Sequence, residues 1–209
     1  MYFFCYKTMK QQVVFITWAT PKENYESYYK YLRERVEYNP YEDEFLNWNM
    51  TLWEKLWDEY EYLRSPSCTE KFADYEAWKI LFEKMFPYIR ENVIIATTSL
   101  GSTFILKYIW ENEFPVRIKK LFLVAPAIAG TGNEWLWSFE FDLEYVYNRV
   151  SRWSEQIYIY HSQDDNVVPY EQSLRLKQYF PESIFRDFYN KWHFYQESEL
   201  PQIVEDIKS

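Results

Sequence analysis

The segment NVIIATTSLG, residues 92–101, decides the fold of this chain. Residues 92–97 form a compact apolar run that predicts a buried β-strand, and residues 100–110 carry apolar side chains at helical spacing. Ser99 therefore stands in a sharp turn between a strand and a helix. Such a turn presents the serine hydroxyl at the edge of a sheet, beside the free backbone N–H groups of a helix N-terminus.

The neighbours of Ser99 fit this turn only in part. A strained strand–turn–helix connection needs small residues two positions away on both sides, because larger side chains crowd the turn. Gly101 meets this requirement, whereas Thr97 is larger than ideal. If Ser99 is a nucleophile, the backbone N–H of Leu100 is placed to stabilise an oxyanion. The alternative is that Ser99 only caps the helix, since serine is a preferred N-cap residue.

Strands and helices alternate along the rest of the chain. The predicted strands are 12–17, 59–64, 92–97, 118–125, 157–161 and 183–188, and the predicted helices are about 25–36, 73–88, 100–110, 172–179 and 200–208. This alternation predicts a three-layer α/β/α sandwich with a mostly parallel sheet, which binds ligands at the carboxyl ends of its strands. Residues 127–153 interrupt the pattern, either as a lid or substrate-pocket insertion or as a crossover helix with a loop.

Length and composition limit the class of protein. The 209 residues suit a single domain, which we expect at 11–209 after an N-terminal extension at 1–10. The formal charge of -9 disfavours binding to nucleic acid or to an anionic membrane surface. Two cysteines do not make a disulfide framework, and no apolar run approaches the roughly 20 residues of a membrane span. We therefore expect a soluble, cytoplasmic protein without a signal peptide.

Two further segments carry residues that complete a catalytic set with Ser99. The segment HSQDDNVVP at 161–169 follows a predicted strand and contains Asp165, although an Asx-rich turn is the alternative interpretation. His193 follows the last predicted strand, and its alternative is a structural or solvated loop histidine. Ser99, Asp165 and His193 occur in the order nucleophile, acid, base of α/β-hydrolases, each after its own strand. This combination favours a Ser-His-Asp triad over three unrelated residues.

Several segments together resemble the small serine hydrolases of the RBBP9/YdeN family in the α/β-hydrolase superfamily. They are TTSLGSTFILKYI, IKKLFLVAPAI, IYIYHSQDDNVVPYEQSLRLKQYFPES, the WHF before the final helix, and QVVFIT followed by ATPKENYESYYKYL. The resemblance implies a minimal fold without a large cap domain and without a metal or organic cofactor. It places the nucleophile on Ser99, the acid on Asp165 and the base on His193. It implies hydrolysis of a carboxylic ester or related acyl bond of a small-molecule substrate through an acyl-enzyme.

The sequence departs from this family where glycine is usual. Trp18, Thr97 and Trp192 stand at such positions, and the whole chain has only three glycines. The second oxyanion donor would come from the N–H of Trp18 or Ala19, and loss of one donor costs on the order of 3 kcal/mol of barrier. We therefore expect a triad in a weakened site, which is consistent with a redesigned or mutated member.

The substrate pocket is the least defined part of the prediction. Trp135, Trp137 and Phe139 are candidates to line a pocket for an apolar acyl group, and core packing is the alternative for each of them. The identity of the substrate and the oligomeric state stay open.

Two other functions compete with hydrolysis. One is a catalytically impaired binding or interaction protein on the same fold, which the altered oxyanion turn favours. The other is a metal site built from His161, Asp164, Asp165 and His193, which would leave Ser99 unexplained. Nucleotide binding is disfavoured because the chain has neither a GxGxxG nor a GxxxxGK[ST] motif.

Overall fold

The computed structural model describes residues 9–17, 26, 29–30, 47–65, 74–128 and 139–209. Six strands form one parallel sheet in the order β2-β1-β3-β4-β5-β6. The strands are β1 (Gln11–Ile16), β2 (Tyr60–Arg64), β3 (Val93–Thr98), β4 (Ile118–Val124), β5 (Ser154–Ser162) and β6 (Ile184–Phe188). The helices with defined bounds are α1 (Trp48–Leu56), α2 (Tyr75–Glu83), α3 (Leu100–Glu111), α4 (Leu143–Trp153), α5 (Tyr170–Tyr179) and α6 (Pro201–Lys208).

The sheet is buried on both faces because its central strands are apolar at successive positions. In β4, Leu121 and Leu123 belong to the hydrophobic core on one face, and Phe122 and Val124 belong to the core on the other. The first core receives side chains from α2, α3, α4 and α5, and the second from α1 and α6. Helices on both faces of a parallel sheet are the reason that its strands read as apolar runs rather than as alternating ones.

The order of the strands places a switch point beside β3. The chain leaves β1 to form β2 at one side and then crosses to form β3 on the other side of β1. In open parallel sheets, ligands usually bind at the carboxyl ends of the two strands where this reversal occurs, which here are β1 and β3. Ser99 directly follows β3 at this point.

The predicted fold class is confirmed: the structure is an α/β/α sandwich with a parallel sheet. Every described strand overlaps its prediction, and β5 is longer than expected because it begins at Ser154, directly after α4. The helix predicted over 73–88 ends at Glu83, and a single 3₁₀ turn with Pro at its start follows at Phe86–Tyr88. Within the helix predicted over 25–36, the described Glu26, Tyr29 and Lys30 are helical.

Helix α1 was not predicted. Its buried residues include Trp48, Leu52 and Leu56, which have helical spacing, but Trp53 and Trp57 are 47% and 59% exposed. Apolar residues on both faces remove the contrast by which an amphipathic helix is identified. Residues 127–153 contain the crossover helix α4, and 129–138 lie outside the described residues. None of the described helices has the length and apolar character needed to cross a membrane.

Candidate active site

Ser99 has an unusual backbone conformation for a residue at the start of a helix. Its φ of 51° and ψ of -121° lie outside the extended region of an ordinary N-cap, and its side chain makes no capping hydrogen bond. Its N–H donates to the carbonyl of Val124 at 2.8 Å, which fixes the turn against β4. Capping through the side chain is therefore not its role here. A positive φ at a non-glycine residue marks a strained turn of the kind found at functional sites.

Gly101 is required by the close approach of β1. A Cβ atom at this position would lie 2.6 Å from the carbonyl oxygen of Ile16 and 2.7 Å from that of Thr17. The end of β1 and the first turn of α3 are thus packed backbone against backbone. This contact fixes the end of β1 and Thr17 against the helix that begins beside Ser99.

Thr97 stands where the resembling family usually has glycine, and its hydroxyl is hydrogen-bonded. The side chain is fully buried, and Oγ1 lies 2.7 Å from both the Ser102 hydroxyl and the Phe122 carbonyl. The Thr97 hydroxyl donates to that carbonyl, which can only accept, and it accepts from Ser102. The larger side chain therefore joins β3, β4 and α3 below the serine turn.

The N-terminus of α3 offers a donor for an oxyanion. Leu100 is the first residue of the helix, so its backbone N–H has no acceptor within the helix. The aligned peptide dipoles add partial positive charge at this end. The other predicted donors, Trp18 and Ala19, lie outside the described residues, as do Trp135 and Trp137 of the predicted pocket.

The Asp165 side chain is fully buried, and four nitrogen atoms lie within 3.1 Å of its carboxylate oxygens. Oδ1 accepts from the backbone N–H groups of Val167 and Val168, both at 2.8 Å, so the Asx turn named as the alternative interpretation is present here together with the contact to His193. Oδ2 accepts from His193 Nδ1 at 2.7 Å and from His161 Nε2 at 3.1 Å. Burial raises the pKa of Asp165, but the hydrogen bonds from His161 and His193, the charge of His193 and the Val168 N–H together hold this pKa well below its usual range.

His193 is joined to Asp165 but not to Ser99. Its side chain is 10% exposed, and Nδ1 carries the hydrogen that is donated to the carboxylate. In the neutral ring, Nε2 is therefore an acceptor. Ser99 and His193 are both described, and no hydrogen bond joins the Ser99 hydroxyl to this imidazole. The structure thus brings together the acid and the base, and it places the serine at the same edge of the sheet.

The loop that carries His193 contains three residues in the left-handed region. Asn190, Trp192 and Phe194 have φ values of 61°, 49° and 60°. The conformation at Trp192 is the one for which the sequence led us to expect glycine. Its indole is 43% exposed, whereas Phe194 is fully buried in the core shared with α1 and α6. Phe194 thus anchors the loop while Trp192 remains at the surface beside His193.

Asp164 and Ser162 hold this loop, and neither role was predicted. The Ser162 hydroxyl donates to Asp164 Oδ1 at 2.5 Å and accepts from the N–H of Lys191 at 3.1 Å. Asp164 Oδ1 also accepts from the N–H of Trp192 at 3.2 Å. These hydrogen bonds lower the pKa of Asp164, with the Ser162 hydroxyl as the largest cause. The only sign of these roles in the sequence was the pair of adjacent acids. Asp165 contacts the imidazole of His193, and Asp164 holds the loop that carries it.

Backbone hydrogen bonds continue the sheet beyond the ends of its strands. One such bond joins Ser99 to β4, a second joins the loop after β4 to β5, and a third joins the loop after β5 to β6. The bonds run from Ser99 N–H to Val124 O at 2.8 Å, from Ala125 N–H to Tyr160 O at 2.8 Å, and from Gln163 N–H to Phe188 O at 2.9 Å. The candidate nucleophile and acid therefore stand on one continuous hydrogen-bonded edge.

Phe139 does not form the pocket predicted for it. The side chain is fully buried, with its ring 5.9 Å from Tyr75 and 5.6 Å from Trp78. It is a member of the core that packs against α2 and α3. Edge-on contact with two aromatic rings explains its burial, and the alternative of core packing is correct for this residue.

The four residues of the alternative metal site do not form a ligand cluster. Among the described residues, no group of three or more His, Cys, Asp and Glu side chains is arranged to hold a metal ion. His161 and His193 both direct a ring nitrogen at one oxygen of Asp165, and Asp164 is joined to Ser162 instead. The arrangement is a set of hydrogen bonds to a carboxylate.

Comparison with known proteins supports the fold. No protein-family model and no curated protein matches the chain. YdeN from B. subtilis superposes with a TM-score of 0.70 at 16% identity, covering 95% of this chain and 97% of YdeN. A YdeN-like protein from Pectobacterium atrosepticum gives 0.62 at 15% identity over 95% and 89% of the two chains. Est1E from Butyrivibrio proteoclasticus gives 0.61 at 14% identity over 96% and 86%. The chain thus shares its architecture with these structures, and the predicted minimal α/β-hydrolase fold is confirmed.

Proposed function

We propose that this protein is a serine hydrolase that cleaves a carboxylic ester or related acyl bond of a small substrate. The observation that carries this proposal is the strained turn at Ser99, held at the switch point of the sheet on the same edge as the Asp165–His193 pair. The Ser99 side chain makes no capping hydrogen bond, so capping does not account for this conformation. Strain of this kind is retained where it aims a reactive group.

The proposed reaction begins with attack of Ser99 Oγ on the substrate carbonyl carbon. His193 Nε2 takes the proton of the hydroxyl, and the Leu100 N–H stabilises the negative charge that develops on the carbonyl oxygen. When the tetrahedral intermediate collapses, the bond to the leaving alcohol breaks and His193 returns the proton to that alcohol. Water then attacks the acyl-enzyme with the same histidine as base, which releases a carboxylic acid and restores Ser99.

Asp165 keeps His193 in the tautomer that this sequence of steps needs. An ionised carboxylate at 2.7 Å from Nδ1 holds the hydrogen on that nitrogen and leaves Nε2 free to accept a proton. The lowered pKa of Asp165 keeps the carboxylate ionised throughout. In serine hydrolases the hydrogen bond between serine and histidine often tightens only when substrate is bound. Its absence here is compatible with the proposed mechanism.

A second candidate function is a binding protein on the same fold. The missing hydrogen bond between Ser99 and His193 favours this candidate. Trp18 and Trp192 also favour it, because the resembling family usually has glycine at these two positions. Such a protein would hold a small molecule at the switch point without forming a covalent intermediate. The two candidates differ in whether Ser99 is nucleophilic.

A fluorophosphonate probe separates these candidates, because it labels only an activated serine. We expect labelling of the wild-type chain that is lost in Ser99→Ala and retained in Ser151→Ala, a serine on the exposed side of α4. Folded wild-type protein that is not labelled at Ser99 would contradict the hydrolase and favour the binding protein.

Acyl preference is then measured with p-nitrophenyl esters of increasing chain length and with a feruloyl ester. The feruloyl ester is included because Est1E has been solved with ferulic acid bound.

A further inference from the structure

His161 is a second histidine at the candidate site, and the proposed triad does not use it. It lies near the end of β5 and is fully buried. Its Nδ1 lies 2.6 Å from the Ser173 hydroxyl, and its Nε2 lies 3.0 Å from the carbonyl oxygen of Val168 and 3.1 Å from Asp165 Oδ2. The edge of the ring packs against Tyr170 with the centroids 5.6 Å apart.

These partners determine where the hydrogen of the ring stands. A carbonyl oxygen and an ionised carboxylate can only accept hydrogen bonds, so Nε2 of His161 must carry the hydrogen that both receive. In the neutral ring, Nδ1 is then an acceptor and the Ser173 hydroxyl donates to it. The imidazole is thus held in one tautomer and one orientation from both sides.

We propose that His161 is a positioning residue that orients the Asp165 carboxylate for His193. This inference rests on the proposed function, because it assigns His161 a part in the same triad. Asp165 Oδ1 is fixed by two backbone N–H groups, and Oδ2 is shared between the two imidazoles. The Nε2–H of His161 fixes the second oxygen so that its remaining lone pair meets His193 Nδ1.

Two simpler roles fit the contacts less well. Ser173, His161 and Asp165 resemble a second triad, but all three side chains are fully buried, so no substrate reaches that serine. A histidine that only fills the core would be satisfied by Ser173 and the Val168 carbonyl. The additional contact with Asp165 is what connects His161 to the site.

The test compares His161→Asn with His161→Gln. The amide of asparagine lies near the position of Nδ1, where it meets Ser173, but it does not reach Asp165. The amide of glutamine, one methylene longer, places an N–H donor near the position of Nε2. The two variants are similar in polarity and differ in the one contact that the proposal invokes. Ser173→Ala loosens the same imidazole from its other side and replaces His161→Asn if that variant does not fold.

The first readout is solvent exchange of the His193 Nδ1–H proton, followed by NMR without substrate. The chain has only two histidines, so each variant at position 161 leaves a single imidazole to observe. We expect exchange to be at least about tenfold faster in His161→Asn than in His161→Gln, because a hydrogen bond to a charged group is lost. In Ser173→Ala we expect faster exchange than in the wild type. Equal exchange rates in the Asn and Gln variants would overturn the inference.

The second readout is steady-state hydrolysis of an activated ester. We expect kcat to fall about tenfold or more in His161→Asn with KM unchanged, and we expect His161→Gln to restore most of it. Equal losses of thermal stability in both variants, with equal kcat, would show that His161 only fills space. If the wild-type chain is not labelled at Ser99, the proposed function fails, and proton exchange still decides whether His161 orients Asp165.

Discussion

Replacement of Gly101 by alanine tests whether the contact between β1 and α3 controls both stability and the site. Alanine is the better helix former by about 0.5–1 kcal/mol, so helix propensity alone predicts a more stable protein. The structure predicts that Gly101→Ala is less stable than the wild type. The new Cβ would lie 2.6 Å from the Ile16 carbonyl oxygen and 2.7 Å from that of Thr17. Both distances are about 0.8 Å shorter than a relaxed carbon–oxygen contact.

The magnitude follows from the rigidity of the two neighbours. Both are backbone atoms, so relief requires a shift of the end of β1 or of the first turn of α3. Overpacking of this kind costs about 1–3 kcal/mol, and two backbone contacts place Gly101→Ala at about 3 kcal/mol. After the helix-propensity gain, we expect a net loss of about 2 kcal/mol, or about 4–8 °C in Tm for a chain of this size.

The assay is urea unfolding with linear extrapolation, together with ester hydrolysis. Ser151→Ala on α4 is the matched control, for which we expect a change within about 0.5 kcal/mol. We expect Gly101→Ala to lose activity more than tenfold, because the shift moves the Leu100 N–H relative to Ser99. An alanine variant as stable as the wild type would refute the reasoning about this contact.

Two further predictions concern the loops that carry the acid and the base. Trp192→Gly should increase the free energy of unfolding by about 1 kcal/mol, because glycine adopts the φ of 49° without strain. Tyr189→Gly is the control, since Tyr189 is exposed and has no positive φ, and it should decrease the free energy of unfolding. Equal effects of the two substitutions in urea unfolding would contradict this reasoning. The pKa of Asp165 is lower in the folded chain than its ordinary value of 3.8, so its contribution to stability is present above 3.8 and is lost as the pH falls toward the folded value. Between pH 5 and 3, urea unfolding should show a larger loss of stability in the wild type than in Asp165→Asn, and parallel losses would argue against an ionised, hydrogen-bonded carboxylate.

The sequence was sufficient for the architecture because burial on both faces leaves apolar runs in the chain. Each predicted strand corresponds to an observed one, and the central strands are the most apolar because helices cover both of their faces. Helix α1 was not recognised because its tryptophans at 53 and 57 lie on the exposed side. Periodicity identifies a helix only where the two faces differ in polarity.

The candidate site was predictable in its residues and not in its hydrogen bonds. Ser99, Asp165 and His193 follow β3, β5 and β6 in the order expected from the sequence, and Trp192, where the family resemblance led us to expect glycine, has a positive φ. The contact of His161 with Asp165 depends on a turn of four residues that folds the chain back on itself. Whether Ser99 and His193 are joined by a hydrogen bond likewise depends on loop conformation, which the order of residues along the chain does not determine.

The hydrogen bonds that extend the sheet beyond β3, β4 and β5 bear on how the protein acquires activity. Ser99 and Asp165 are 66 residues apart in sequence, and they share an edge only after three strands, β3, β4 and β5, have aligned. Such distant pairings form late because each requires closure of a long loop. Ser99 would therefore become reactive only after β3, β4 and β5 have paired. The rate at which a probe labels Ser99 during refolding would measure the rate of this pairing.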